Sequence, residues 1–143
     1  MTLAMSAGER EAFLAELHVG VLSVAAEDGR APLAMPIWYE YEPGGRIWFS
    51  TGTNSRKMEL IRAAGRVSLV VQTELPPYRY VSVEGTVTSI DPAEPEERRA
   101  LAERYLGSAG ADGYLEGTKA VAHTMVVVRV EPEHWLSRDY GKV

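Results

Sequence analysis

Six short apolar runs, separated by turns rich in glycine and proline and without regularly spaced crossover helices, set the narrowest limits on what this chain can fold into. Neighbouring parallel strands need a connection of a dozen or more residues between them, usually a helix, whereas antiparallel strands need only a tight turn. The pattern therefore predicts a mainly β, α+β fold: an antiparallel six-stranded barrel, closed or nearly closed, with flanking helices. At 143 residues the chain fits one domain, residues 1–143, and its 45% hydrophobic content suffices for a core.

Taken in order, Ser6 and Glu9 have the spacing of a capping box, and the helix they open should turn Phe13, Leu14 and Leu17 to the core. Residues 19–25 read as a strand, residues 27–30 as an Asp-Gly hairpin, and residues 31–41 as the partner strand. Pro36 gives no ladder hydrogen bond and belongs at an edge or a bulge. After a turn at residues 42–45 come a strand at 47–50, a helix around Met58 to Arg62 stopped by Gly65, and a central strand at 67–72. A loop at 73–77 leads to a long strand at 78–90, with Val81, Val83 and Val87 on one face and a bend at Gly85. Asp91, Pro92 and Glu94 predict a helix from about Pro92 through Leu101 and Tyr105. Residues 107–119 are expected to be a loop with a short helix, residues 124–130 the last strand, and residues 131–143 a tail carrying Trp135, Arg138 and Tyr140.

The net charge of −5 argues against a nucleic-acid partner. The chain has no cysteine, which removes disulfides, thiolate metal sites and a cysteine nucleophile. His18, His123 and His134 lack metal-ligand spacing, and no hydrolase elbow, phosphate-loop or dinucleotide-fold glycine motif is present. No apolar run approaches the roughly 20 residues of a membrane span, and the N-terminus lacks a signal-peptide pattern. A soluble, cytoplasmic protein is expected.

One junction carries chemistry. Thr51, Thr53, Asn54 and Ser55 surround Gly52 between a strand and a helix, with Asn54 or Ser55 as the cap, and Arg56 and Lys57 follow. A helix N-terminus already directs free N–H groups and partial positive charge outward, so hydroxyls and two cations there make a seat for a phosphate. The alternative is a capped surface helix whose basic residues are merely solvated. Trp38, Trp48, Tyr78, Tyr80 and Trp135 are ordinary core or interface residues singly, and plausible walls for a flat heterocycle as a set beside that seat.

The ordered set Met35-Pro36-Ile37-Trp38, Ile47-Trp48-Phe49-Ser50-Thr51, Ser55-Arg56-Lys57, Arg66-Val67-Ser68-Leu69 and Val81-Ser82-Val83-Glu84-Gly85 resembles the pyridoxamine-5′-phosphate-oxidase-like, FMN-binding split β-barrel family over roughly residues 10 to 135. Within it the chain is most similar to the small actinobacterial flavin and deazaflavin oxidoreductases. The resemblance implies that Thr51, Ser55, Arg56 and Lys57 hold the cofactor phosphate. It also implies that the backbone of Met35, Pro36, Ile37 and Trp38 runs along the ring edge and that Gln72 reaches the cofactor. Coenzyme F-420 is favoured over FMN, with hydride transfer to an unsaturated small-molecule substrate; the alternatives are an FMN-binding relative of the oxidases or a non-catalytic flavin, deazaflavin or haem carrier. Arg138 stands without the following histidine of the vitamin-processing oxidases, which argues against oxidation of pyridoxamine phosphate. A barrel of this size has little depth to enclose a ring system, and the tail is apolar, so a homodimer with cofactor sites at its interface is expected, as the resemblance also implies.

Overall fold

The structure is a computed structural model and describes residues 2–143. Its first helix, α1 (Ala7–Ala15), is opened by the expected capping box: Ser6 Oγ accepts from the Glu9 N–H at 3.1 Å, and the Glu9 carboxylate accepts from the Ser6 N–H at 2.9 Å. Phe13 and Leu14 are buried, whereas Leu17 lies beyond the end of the helix and is 59% exposed. The capped turn thus ended the amphipathic stripe earlier than its spacing suggested.

Six strands, β1 (Gly20–Val24), β2 (Leu33–Ile37), β3 (Ile47–Gly52), β4 (Arg66–Gln72), β5 (Arg79–Pro92) and β6 (Met125–Asp139), form one sheet in the order β2-β1-β4-β5-β6-β3. Every neighbouring pair is antiparallel, as short turns require. The first hairpin turns through Gly29, whose φ of 85° is the left-handed conformation that glycine adopts without strain. Pro36 is exposed on the edge strand β2, opposite Val21. The two ends of the sheet meet through a single bridge, Glu40 to Trp48, with N–H to O distances of 2.9 and 3.0 Å. The sheet is therefore a half-barrel with a split beside that bridge.

Alternating residues fill the interior: Ile47 and Phe49 of β3, Val67, Leu69 and Val71 of β4, Val81 and Val83 of β5, and Val128 and Val130 of β6. Burying each such side chain contributes about 1.5–3 kcal/mol. The register slips between Glu84 and Gly85, the bend expected there. A Cβ at Gly85 would stand 2.0 Å from the Glu131 carbonyl oxygen, so the approach of β6 excludes any side chain.

Four boundaries differ from the expectation: β2 covers Leu33–Ile37 rather than residues 31–41, because beyond Ile37 only Glu40 finds a bridge partner, and in two of the other three strand pairing decides. Asp91 and Pro92 pair with Val127 and Val126, so β5 continues through them and α3 (Pro95–Gly117) begins at the next proline. The Glu97 carboxylate there accepts from the Glu94 N–H at 2.9 Å. The tail is not free: Val83 pairs with Trp135 and Arg79 with Asp139, so β6 runs to Asp139 because the first half of β5 needs a partner. In place of the expected loop with a short helix over residues 107–119, residues 108–117 are helical throughout after a non-helical Gly107, with φ 74° and ψ 171°.

Candidate functional site

The second helix, α2 (Arg56–Ala64), follows β3 directly. Ser55 is its cap: Ser55 Oγ accepts from the Met58 N–H at 3.2 Å and donates to the Gly52 carbonyl at 2.9 Å. Arg62 ties down the preceding turn by donating to the Thr53 carbonyl and hydroxyl, at 3.0 and 2.8 Å. At the other end Gly65, at φ 69°, donates to the Ile61 carbonyl at 2.8 Å and stops the helix. Met58, Leu60 and Ile61 are buried, which fixes the helix on the barrel.

That anchoring aims a defined donor set. The N–H groups of Arg56 and Lys57 belong to the first turn and have no intrahelical acceptor. Lys57 is half-buried, burial pushes its ammonium below the usual lysine value, and no carboxylate lies within ion-pair distance among the described residues. Arg56 is more exposed and is held 3.0 Å from Glu27 on the β1–β2 hairpin. Thr51 is buried at the end of β3, on the inward-facing side with Ile47 and Phe49. Two free N–H groups and an unneutralised ammonium make a donor set suited to a phosphate.

The remaining residues of the expected site lie elsewhere. Met35 packs against the core, Ile37 is buried in it, and Pro36 faces outward on the edge. Trp38 leaves the end of β2 and stacks on Tyr105 of α3 with centroids 4.9 Å apart and planes 6° from parallel. Gln72 is exposed at the end of β4 remote from α2, about 20 Å along the strand from Arg66 at ~3.3 Å per residue. One chain therefore brings Ser55, Arg56 and Lys57 together at the start of α2, with Thr51 turned inward at the end of β3, and leaves Gln72 apart from them. Of the aromatic walls, Trp135 packs on Tyr41 beneath the Arg10 guanidinium, and Tyr78 is exposed. Trp48 lines an open cleft of about 410 Å³ with Glu40, Glu42, Arg46 and Arg129.

Tyr105 was not singled out as a site residue from sequence. Its hydroxyl accepts from the Tyr39 N–H at 3.0 Å and lies 2.6 Å from the His18 carbonyl, to which it donates. It thus satisfies backbone groups that the split leaves without a strand partner. No local motif marks such a residue, because its partners are distant in sequence.

A half-open antiparallel sheet of six strands, bridged once across its split and flanked by helices, defines a split-barrel protein. The chain belongs to the pyridoxamine 5′-phosphate oxidase family, which it matches over residues 7–139. Its structure is similar to the crystal structure of a conserved hypothetical protein from Mycobacterium tuberculosis, with a TM-score of 0.76 and 27% identity, covering 98% of this chain and 88% of that one. It is also similar to an F-420 reductase, at TM-score 0.65 and 23% identity, covering 88% and 94% of the two chains. A FAD-binding protein from Mesorhizobium loti matches at TM-score 0.67 and 22% identity, covering 95% and 96%. The last two likenesses establish the fold. No curated protein matches the sequence.

Proposed function

We propose that the protein is a cytoplasmic flavin- or deazaflavin-dependent oxidoreductase of one split-barrel domain, akin to the small actinobacterial members of its family. Coenzyme F-420 is favoured over FMN. The observation that carries this reading is Lys57, a half-buried cation without a carboxylate beside the two free N–H groups of α2. Leaving an ammonium partly desolvated and unpaired costs stability, and a bound phosphate removes that cost. When bound, the deazaflavin ring supplies hydride transfer to an electrophilic double bond of a small-molecule substrate. The chain's own part is to bind and orient: Thr51, Ser55, Arg56 and Lys57 hold the phosphate, and the backbone of Met35, Pro36, Ile37 and Trp38 borders the ring.

Gln72 joins this site in a homodimer. On the outward face of the sheet, Pro36, Val21, Val70, Ser82 and Leu136 form one cross-strand row, in which Val21 is 40% and Leu136 49% exposed. Gln72 follows Val70 on the same face of β4. A second copy covering this row carries its own Gln72 toward the first copy's cofactor.

Titration with coenzyme F-420 and with FMN tests the reading. Charge-assisted hydrogen bonds contribute roughly 1.5–3 kcal/mol each, so Arg56→Ala with Lys57→Ala weakens binding on the order of a hundredfold or more while the fold survives. Unchanged affinity in the double variant overturns the seat. Tighter binding of FMN than of the deazaflavin, with oxidase turnover, replaces the cofactor but keeps the seat. Absence of turnover over a panel of quinones, enones and tetrapyrroles leaves a carrier. Light scattering that reports a monomer with cofactor bound removes the dimer.

A further inference from the structure

Under α3, at the barrel's split, lies a small chamber of about 40 Å³ lined by Trp38, Ser50, Arg98, Ala102, Tyr114 and Met125. Trp38 and Ser50 come together because each stands two residues beyond the Glu40–Trp48 bridge on its own strand, on the same face. Ser50 Oγ is buried and has no hydrogen-bond partner. Arg98 is half-buried, and among the described residues its guanidinium makes one hydrogen bond, to the Thr118 hydroxyl at 2.7 Å. Arg99 and Arg129, by contrast, are neutralised, the first by Glu103 and Asp112 and the second by Glu97 and Asp91, and Arg104 is held by the Ala15 and Glu16 carbonyls. An orphan hydroxyl and an unneutralised guanidinium beside an indole suit a flat ligand with a carboxylate at one end.

The chamber as it stands has room for about one water molecule, so such a ligand needs its roof to move. The roof is built for it. Gly107, at φ 74° and ψ 171°, sits in a region open essentially to glycine alone and separates residues 108–117 from the rest of α3. That segment contains Gly110, Gly113 and Gly117 and buries a single residue, Ala111, whereas Leu101 and Ala102 anchor the half before the hinge. It is held by the exposed Arg99–Asp112 ion pair at 3.1 Å, the Arg98–Thr118 hydrogen bond, and Tyr114 tilted 47° against Trp38. Exposed ion pairs are worth little, and a tilted ring is readily replaced by another ring.

We propose that residues 107–117 form a lid over a subsite for a small planar carboxylate, with Trp38 as its wall and Arg98 and Ser50 at its polar end. Ser50 faces the opposite side of β3 from Thr51, so the subsite does not use the phosphate seat's residues, and its test needs no cofactor. Full-length protein is titrated calorimetrically with benzoate, and amide exchange is followed with and without it. Binding is saturable, falls at least tenfold in Arg98→Met and severalfold in Ser50→Ala, and is retained in Thr118→Val, which frees the guanidinium without removing it. Amides of residues 108–117 exchange at least tenfold faster than those of residues 100–106, and benzoate slows them selectively. Absence of saturable binding at about 10 mM benzoate, where even a millimolar site would fill, overturns the proposal. So does equal binding in Arg98→Met, loss in Thr118→Val equal to that in Arg98→Met, or lid amides unmoved by benzoate.

Discussion

Among the described residues α2 carries one half-buried cation without a carboxylate, Lys57, and α3 carries two, Arg98 and Arg104, the latter held by the Ala15 and Glu16 carbonyls; the helices of Lys57 and Arg98 are nevertheless held in opposite ways. α2 buries Met58, Leu60 and Ile61 within nine residues, with a hydroxyl cap at one end and a left-handed glycine at the other. α3 buries Leu101, Ala102 and Ala111 over 23 residues, and beyond its glycine hinge only Ala111 remains inside. Lys57 is thus a charge on a fixed platform, and Arg98 is a charge beneath a cover. A phosphate seat gains from donors already aimed, because none of the binding energy is then spent on ordering them. A lid must open at little cost, which requires the shallow burial that residues 108–117 show.

The contrast is sharpest in packing. Ile61→Ala is expected to cost about 2–5 kcal/mol in urea unfolding, because it empties a fully buried site under α2. Leu106→Ala, at a residue 42% exposed next to the hinge of α3, should cost less than ~1 kcal/mol. Equal losses at the two positions break the comparison.

The two positive-φ glycines separate the helices next. Gly65→Ala places a Cβ at φ 69° on a helix that cannot leave the barrel, and the full strain of about 1–2 kcal/mol should appear in global unfolding. Gly107→Ala strains a hinge whose far side is free to detach. Its effect should therefore be small in global unfolding and large in the exchange rate of residues 108–117, since the lid leaves before the barrel yields. A larger loss of global stability from Gly107→Ala than from Gly65→Ala shows that the lid is part of the cooperative core.

The smallest expected effect is a gain. Burial lowers the Lys57 pKa in the folded protein, so folding binds fewer protons at this group and below that pKa the folded state bears the cost of a desolvated charge. Lys57→Met should raise the cofactor-free Tm by about 2 °C at neutral pH, on the scale of ~0.5 kcal/mol, while weakening cofactor binding. The gain should fade as the pH rises from the lowered folded-state pKa through the usual lysine value of 10.5, above which the wild-type side chain is neutral in both states. Calorimetry at neutral and alkaline pH measures it. A loss of Tm on removing the charge marks Lys57 as a stabilising surface group rather than a waiting ligand.

The features legible in the sequence are those decided within a few residues. The Ser6–Glu9 box, the Asp-Gly hairpin, the Ser55 cap and the Gly65 stop are side-chain and backbone preferences of one turn, and the structure holds all of them. The alternation along β5 likewise specified that Val81 and Val83 turn inward, and the apolar runs gave the number of strands. Of the proposed phosphate seat, the run from Thr51 to Lys57 was legible because a strand end and a helix start lie side by side in the chain.

The rest was settled by tertiary structure alone. Whether Pro92 closes a strand or Pro95 opens the helix depends on β6 offering Val126 and Val127 as partners, and β6 in turn runs to Asp139 only because β5 is long enough to pair with it. Which cations remain unneutralised depends on where the distant carboxylates of Glu27, Glu97 and Asp112 come to rest. Trp38, Ser50 and Arg98 share no motif; they meet because a single bridge at Glu40 and Trp48 brings the sheet's edges together and α3 crosses the gap. Local order is encoded by short-range preference, whereas a site assembled across a split barrel exists only once the long-range pairings have formed.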